Sequence, residues 1–160
     1  MSGAFRRSNT GSSLIVAASE IRLSEDVLKI SLFNLRILTF LSIGAIAGTL
    51  ARYSIGLWIA RWNTGAPDFP WATFLINVTG SLFLGFLLRY LTGISVSQPM
   101  RLMLTTGFCG AYTTMSTFSF DFMALVKEHA YINAALYMGG TMSLAPAACF
   151  LGYGLAEMIV

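Results

Sequence analysis

Four apolar stretches, each long enough to cross a lipid bilayer, constrain the fold of this chain more than any other feature. A transmembrane helix needs about 20 mainly apolar residues, and the stretches cover residues 37–60, 71–91, 101–126 and 131–159. Hydrophobic residues make up 56% of the chain and charged residues 11%, which is more apolar surface than a water-soluble domain of 160 residues can bury. The sequence therefore predicts an all-α membrane protein with four transmembrane helices.

The chain divides by composition into an extension, residues 1–36, and a four-helix domain, residues 37–160. Residues 1–23 are polar and serine-rich and lack the apolar core of a signal peptide, which favours a disordered tail. Ser24 and the acids that follow it indicate a helix start. The apolar stripe from Val27 to Leu35 then predicts a short amphipathic helix on the membrane surface, with an unstructured lead-in as the alternative.

The third stretch has an unusual composition for a membrane helix. Residues 107–119 contain two glycines and six hydroxyl-bearing side chains. Polar or broken backbone at membrane depth is tolerated only where protein or a water-filled cavity covers it. We therefore expect a break in this helix and a functional site beside it.

Two polar side chains in the other stretches need partners. Arg52 is costly at membrane depth unless it reaches water, so it either snorkels to the interface or, as we favour, faces a watery vestibule. Asn77 either forms an interhelical hydrogen bond or lines a pore, because a buried amide must find partners. Gly44, Gly48 and Ala51 are spaced as a packing seam that lets two helices approach closely.

Several classes of function are excluded by what the sequence lacks. The single histidine, His129, lies in a loop, and no nucleophile and base or metal-ligand spacing can be assembled, so the chain is not expected to be an enzyme. No clustered basic face is present, which argues against nucleic-acid binding. Asp121, Glu128 and Glu157 lie near the ends of their stretches, and no central carboxylate supports a proton-driven exporter.

The remaining polar groups are mainly hydrogen-bond donors. Hydroxyls, amides and one deep guanidinium favour an anion, and the edges of aromatic rings carry partial positive charge. A small, strongly hydrated anion needs such donors to replace its lost water. The residues alone thus indicate an anion-conducting pore and do not identify the anion.

Three motifs in the sequence resemble those of a known family of membrane proteins. A Gly-Ala-x-x-Gly-x-x-x-Arg-Tyr seam begins at Gly44, a Thr-x-x-x-Asn-x-x-Gly-Ser-x-x-x-Gly span begins at Thr73, and a Gly-Phe-x-Gly-x-x-Thr-Thr-x-Ser-Thr-Phe break begins at Gly107. In this order they resemble the Fluc (CrcB) fluoride channel family, over about residues 37–156. The resemblance implies passive fluoride export by a multi-pass protein of the cell (inner) membrane. It also implies an antiparallel, dual-topology homodimer in membrane lipid, with a central structural sodium ion.

The resemblance also assigns roles to individual residues. It implies that the backbone carbonyls of Gly110 and Thr113 hold the sodium ion. The residues that it assigns to the fluoride pore are Asn77, Thr73, Phe118, Met115, Thr114, Ser143 and Arg52. Met115 stands where the family has the first of two phenylalanines, and methionine lacks an aromatic edge. A non-conducting homologue is therefore one alternative, and a proton-coupled small-molecule exporter of four-helix type is the other.

The distribution of basic residues bears on topology. Leaving Arg52 aside, seven basic residues lie on the side of the N-terminus and two on the opposite side, which would fix the N-terminus in the cytoplasm. Without residues 1–36 the count is two against two, as dual insertion requires. The extension could therefore favour a partner subunit of opposite orientation, although a self-paired dimer remains the main prediction.

Overall fold

This computed structural model describes residues 10–62 and 69–160, and most of these residues are helical. The helices are α1 (Thr10–Trp62), α2 (Trp71–Gly93), α3 (Gln98–Leu102), α4 (Gly110–Tyr112), α5 (Met115–Lys127) and α6 (Tyr131–Glu157). A π-helical segment, Met103–Cys109, joins α3 to α4. No strand occurs within these ranges, which confirms the predicted all-α class for them.

Three helical stretches of the described chain are long and apolar enough to cross a membrane: Val27–Arg61, Trp71–Gly93 and Tyr131–Glu157. The third predicted span, residues 101–126, is instead divided among α3, the π-helical segment, α4 and α5. None of these pieces alone is long enough to cross a bilayer, because glycines and hydroxyl side chains interrupt the segment. A fourth membrane crossing therefore stays a prediction.

The contacts within the chain group into two units, Met1–Arg36 and Ile37–Val160. Within the first unit the helix begins at Thr10 rather than at Ser24, and it covers residues that the sequence assigned to a disordered tail. The run Leu14–Ala18 includes good helix formers, which accounts for the earlier start. Residues 1–9 of the predicted tail lie outside the described chain. The roles assigned to the two parts stay predictions.

Within the second unit, α2 and α6 pack with their backbones in direct contact. A Cβ atom at Gly85 would collide with the carbonyl oxygen of Cys149, and one at Gly152 would collide with that of Leu82. Glycine is required at both places because any side chain would separate the two helices. This close packing fixes the rotation of α2, and with it the directions of its polar side chains.

The predicted glycine seam on α1 packs against the π-helical segment. A Cβ at Gly44 would collide with the carbonyl oxygen of Met103, and one at Gly48 with that of Phe108. On the other side of the contact, Gly107 lies close to the carbonyl oxygen of Leu41. The seam therefore holds α1 against the residues that precede Thr113 and Thr114.

Candidate functional site

The helical interruption between α4 and α5 is the centre of the candidate site. Thr113 has φ −76° and ψ 157°, and Thr114 has φ −150° and ψ 117°, so both residues are extended. The break predicted for residues 107–119 is thus present at these two threonines. Gly110, one turn before them, is exposed, and a Cβ added to it would meet open space.

Asn77 on α2 holds the extended backbone at Thr114. Its Oδ1 accepts a hydrogen bond from the Thr114 N–H at 2.8 Å, and its Nδ2 donates to the Thr114 carbonyl oxygen at 3.1 Å. Both residues are buried. The amide therefore satisfies the two main-chain groups that the break would otherwise leave unpaired, as buried polar backbone requires. Of the two interpretations of Asn77, the interhelical hydrogen bond is present.

The side chain of Thr114 starts the helix that follows the break. Its Oγ1 accepts a hydrogen bond from the Thr117 N–H at 3.2 Å, the contact typical of a helix N-cap. The same hydroxyl donates to Thr117 Oγ1 at 3.1 Å. Thr114 is therefore engaged through its N–H, its carbonyl and its hydroxyl, which fixes its position between α2 and α5.

A second contact from α2 holds the other side of the break. The hydroxyls of Thr79 and Tyr112 lie 3.1 Å apart. Beside them, a Cβ at Gly80 would collide with the methyl group of Thr113 and the ring of Tyr112. The residues before the break are thus pressed onto α2 just as Thr114 is bound to it. The sequence suggested neither the Thr79–Tyr112 contact nor its position.

A cavity of about 540 Å³ opens beside this arrangement. It brings together three of the predicted pore residues, Arg52 from α1, Thr73 from α2 and Thr114 at the break. The hydroxyl residues Thr49 and Thr117 also line it. Most of the cavity surface is apolar, and Arg52 and the threonines are the hydrogen-bond donors that an anion could meet there. Arg52 thus lines a cavity, and its position in a watery vestibule stays a prediction.

Asp121 belongs to the same region, although the sequence gave it no role there. Its Oδ2 accepts a hydrogen bond from Thr73 Oγ1 at 2.6 Å and another from the hydroxyl of Tyr137 at 3.2 Å. One carboxylate oxygen therefore joins α2, α5 and α6. The spacing of Phe118 and Asp121, three residues apart on one helix, was the available signal, because such residues share a face.

The two residues of the predicted aromatic box have different surroundings. Phe118 is buried, and its ring centroid lies 5.0 Å from that of Tyr137. Together with Leu125 and Ala134 these residues form a hydrophobic cluster. Met115, one turn earlier, is 62% exposed. Within one chain, therefore, Phe118 belongs to the core and Met115 lies on the surface.

The remaining predicted residues are not drawn into the cavity. Ser143 on α6 is exposed. The neighbouring Thr141 is buried, and its hydroxyl has no hydrogen-bond partner among the described residues. Thr113 is half-buried, and its hydroxyl donates to the carbonyl oxygen of Cys109 at 3.0 Å. The structure thus gives locations for Ser143 and Thr113, while their roles stay predictions.

Comparison with known proteins gives the chain its family. A protein from Nitrobacter winogradskyi named "Fluoride-specific ion channel FluC" is 39% identical over 117 residues, which is 72% of this chain and 91% of that protein. Proteins of the same name from Roseiflexus sp. and Rhizobium meliloti are 37% and 36% identical, over 74% and 73% of this chain and 95% and 93% of their own lengths.

The model of one protein family, described as "CrcB-like protein, Camphor Resistance (CrcB)", matches residues 39–153. The match includes α2, the break and nearly all of α6. Together with the three long apolar helices, it identifies a multi-pass membrane protein. The chain belongs to the CrcB-like family.

Proposed function

We propose that this chain forms a passive, fluoride-selective channel in the cell (inner) membrane. Its family membership and the names of its relatives, which are ion channels and not enzymes, support this function. The observation in the structure that carries the proposal is the cavity in which Arg52, Thr73 and Thr114 meet beside the break.

The chemistry of the cavity suits fluoride in particular. Fluoride is small and strongly hydrated, so a pathway must replace its water with closely spaced hydrogen-bond donors. The guanidinium of Arg52 supplies positive charge at the cavity, and the hydroxyls of Thr49, Thr73 and Thr117 supply neutral donors. Because hydroxyls can rotate, they can donate to an anion at one moment and to a protein oxygen at the next.

The complete channel, in this proposal, is an antiparallel dimer of two copies in membrane lipid. Residues 98–127 form a fourth, interrupted crossing, covered by α1, α2 and the second copy. The surface exposure of Met115, Gly110 and Ser143 supports this arrangement, because these residues can reach the site only if a second copy covers them. Met115 then completes the box with a phenylalanine of the other copy.

The proposal includes a structural sodium ion at the break. The candidate ligands are backbone carbonyl oxygens, and a hard cation prefers oxygen ligands of this kind. Thr113 is extended, so its carbonyl leaves the helical direction, and a Cβ added to Gly110 would meet nothing within 4 Å. The carbonyls of these two residues would hold the ion, and its charge would hold the two copies together. No catalytic step involves it.

Fluoride efflux from reconstituted liposomes, followed with a fluoride electrode, tests the function. The channel predicts efflux of fluoride, little efflux of chloride, and no dependence on a proton gradient. Asn77→Ala and Phe118→Ile should reduce the flux. Uptake of a small molecule that requires a proton gradient would support the exporter instead. Absence of any flux would support the non-conducting alternative raised by Met115.

A further inference from the structure

The break leaves two carbonyl groups without their usual helical partners. In an α-helix the carbonyl of each residue accepts a hydrogen bond from the N–H four positions later. The donor for Gly110 would be Thr114, and the donor for Thr113 would be Thr117. In the structure both donors are engaged elsewhere. Thr114 N–H donates to Asn77 Oδ1 at 2.8 Å, and Thr117 N–H donates to Thr114 Oγ1 at 3.2 Å.

We infer that Asn77 and Thr114 are positioning residues for the cation site. Each captures one backbone N–H in a hydrogen bond, which leaves one carbonyl oxygen free for the cation. The side chain of Asn77 prevents the Thr114 N–H from bonding to the Gly110 carbonyl. The hydroxyl of Thr114 prevents the Thr117 N–H from bonding to the Thr113 carbonyl. The two captured donors are the helical partners of the two proposed ligand carbonyls. This inference rests on the sodium site of the proposed function, and it assigns these side chains a task separate from contact with fluoride.

Removal of either acceptor should let the helix repair itself. Without Asn77, the Thr114 N–H has a natural acceptor one turn back, at the Gly110 carbonyl. Without its hydroxyl, Thr114 leaves the Thr117 N–H free to turn to the Thr113 carbonyl. Each repair would use one oxygen that the cation needs. A weaker cation site is therefore expected even where the variant folds well.

The arrangement also connects the cation site to the cavity. Thr114 lines the cavity beside Arg52 and Thr73, and the same residue separates the two captured donors. A cation held at the carbonyls would stabilise the extended conformation of Thr114. The wall of the cavity would then be fixed by the cation, so fluoride passage would depend on sodium without contact between the two ions.

The test compares Thr114→Val with Thr114→Ser in the full-length chain. Valine has the shape of threonine but removes the acceptor, whereas serine keeps it. Thermal unfolding of the purified protein is followed in sodium chloride and in N-methyl-D-glucamine chloride of equal ionic strength. We expect Thr114→Val and Asn77→Leu to weaken the apparent sodium affinity by about tenfold or more, as is typical for partners that orient metal ligands. Thr114→Ser should stay close to the unchanged chain.

Thr92→Val is the matched control. It removes a hydroxyl that donates to the Arg89 carbonyl within α2, is exposed, and lies away from the break. It should leave sodium stabilisation unchanged. If the variants do not fold, hydrogen exchange measured on the unchanged chain still tests the inference. Hydrogen exchange at the amides of Thr114 and Thr117 should be slower in sodium, because the ion holds the extended conformation in which both donors are captured.

The outcomes separate this inference from the proposed function. Unaltered sodium affinity in Thr114→Val and Asn77→Leu, or exchange at both amides that is insensitive to sodium, would overturn the inference while fluoride efflux stands. Loss of sodium stabilisation in the two variants, with no fluoride efflux from the unchanged chain, would retain the inference and reject the channel. Fluoride efflux without any effect of sodium on the unchanged chain would reject the cation site and the inference together.

Discussion

The hydroxyl of Thr73 donates a hydrogen bond of 2.6 Å to the carboxylate of Asp121, and this bond joins α2 to α5 at the edge of the cavity. The bond is partly buried and joins residues 48 positions apart in the chain. Since Tyr137 donates to the same oxygen, α2, α5 and α6 share one acceptor atom at Asp121.

We expect Thr73 and Asp121 to be energetically coupled. A double-mutant cycle with Thr73→Val and Asp121→Asn should give a coupling energy of about 0.6 kcal/mol, the average for interhelical hydrogen bonds in membranes, and at most about 1.7 kcal/mol. The free energy of unfolding in detergent is the measured quantity. Thr92→Val combined with Asp121→Asn serves as the control cycle and should give none. Additive effects in the Thr73 cycle would contradict the contact.

Arg52 should raise the rate at which fluoride enters the cavity. Arg52→Gln removes the charge but keeps a polar side chain, and we expect initial efflux at low fluoride to fall by about fivefold. That factor corresponds to about 1 kcal/mol for a charge near water. Arg52→Lys should retain most of the rate. Equal rates for the glutamine and lysine variants would show that the charge has no part in entry.

The glycine seam predicts a strong dependence on side-chain size. Gly48→Ala would place a Cβ against the carbonyl oxygen of Phe108, and we expect it to destabilise the fold by about 1 to 3 kcal/mol. Gly139→Ala on α6 meets open space, so it should be neutral or stabilise the helix by up to about 1 kcal/mol. Thermal midpoints of the two variants provide the comparison. Equal midpoints would be incompatible with the packing of α1 on the π-helical segment.

Met115 offers a test of the pathway itself. Because this side chain is 62% exposed in one chain, Met115→Phe should leave the packing within that chain intact. A phenyl ring adds an edge that carries partial positive charge, so fluoride efflux relative to chloride should increase. Met115→Leu is the size control and should not increase it. A selectivity that is the same in both variants would remove Met115 from the pathway.

Composition predicted the part of the site that depends on local sequence. Glycines and hydroxyl side chains cluster in residues 107–119, and the helix is broken within that range, at Thr113 and Thr114. The seam on α1 followed from the spacing of Gly44 and Gly48 in the same way. In both cases neighbouring residues determine the result, so a single sequence is sufficient.

Contacts between distant residues could not be predicted in this way. The bond between Thr73 and Asp121 depends on how α2 and α5 are rotated, which close packing at Gly85 and Gly152 helps to determine. The rotation of α6 likewise decides that the hydroxyl of Thr141 is buried and that Ser143 is exposed, so a single sequence could not predict this difference. The early start of α1 at Thr10 was missed because polar residues outweighed the helix-forming run beside them.

The wide turns of Met103–Cys109 make the length of this segment as important as its composition. A π-helical turn holds more residues than an α-helical turn, and each residue advances an α-helix by about 100°. Deletion of a single residue there would rotate Gly110 and Thr114 by roughly that angle and carry Thr114 away from Asn77. Natural variation in this stretch should therefore conserve the number of residues.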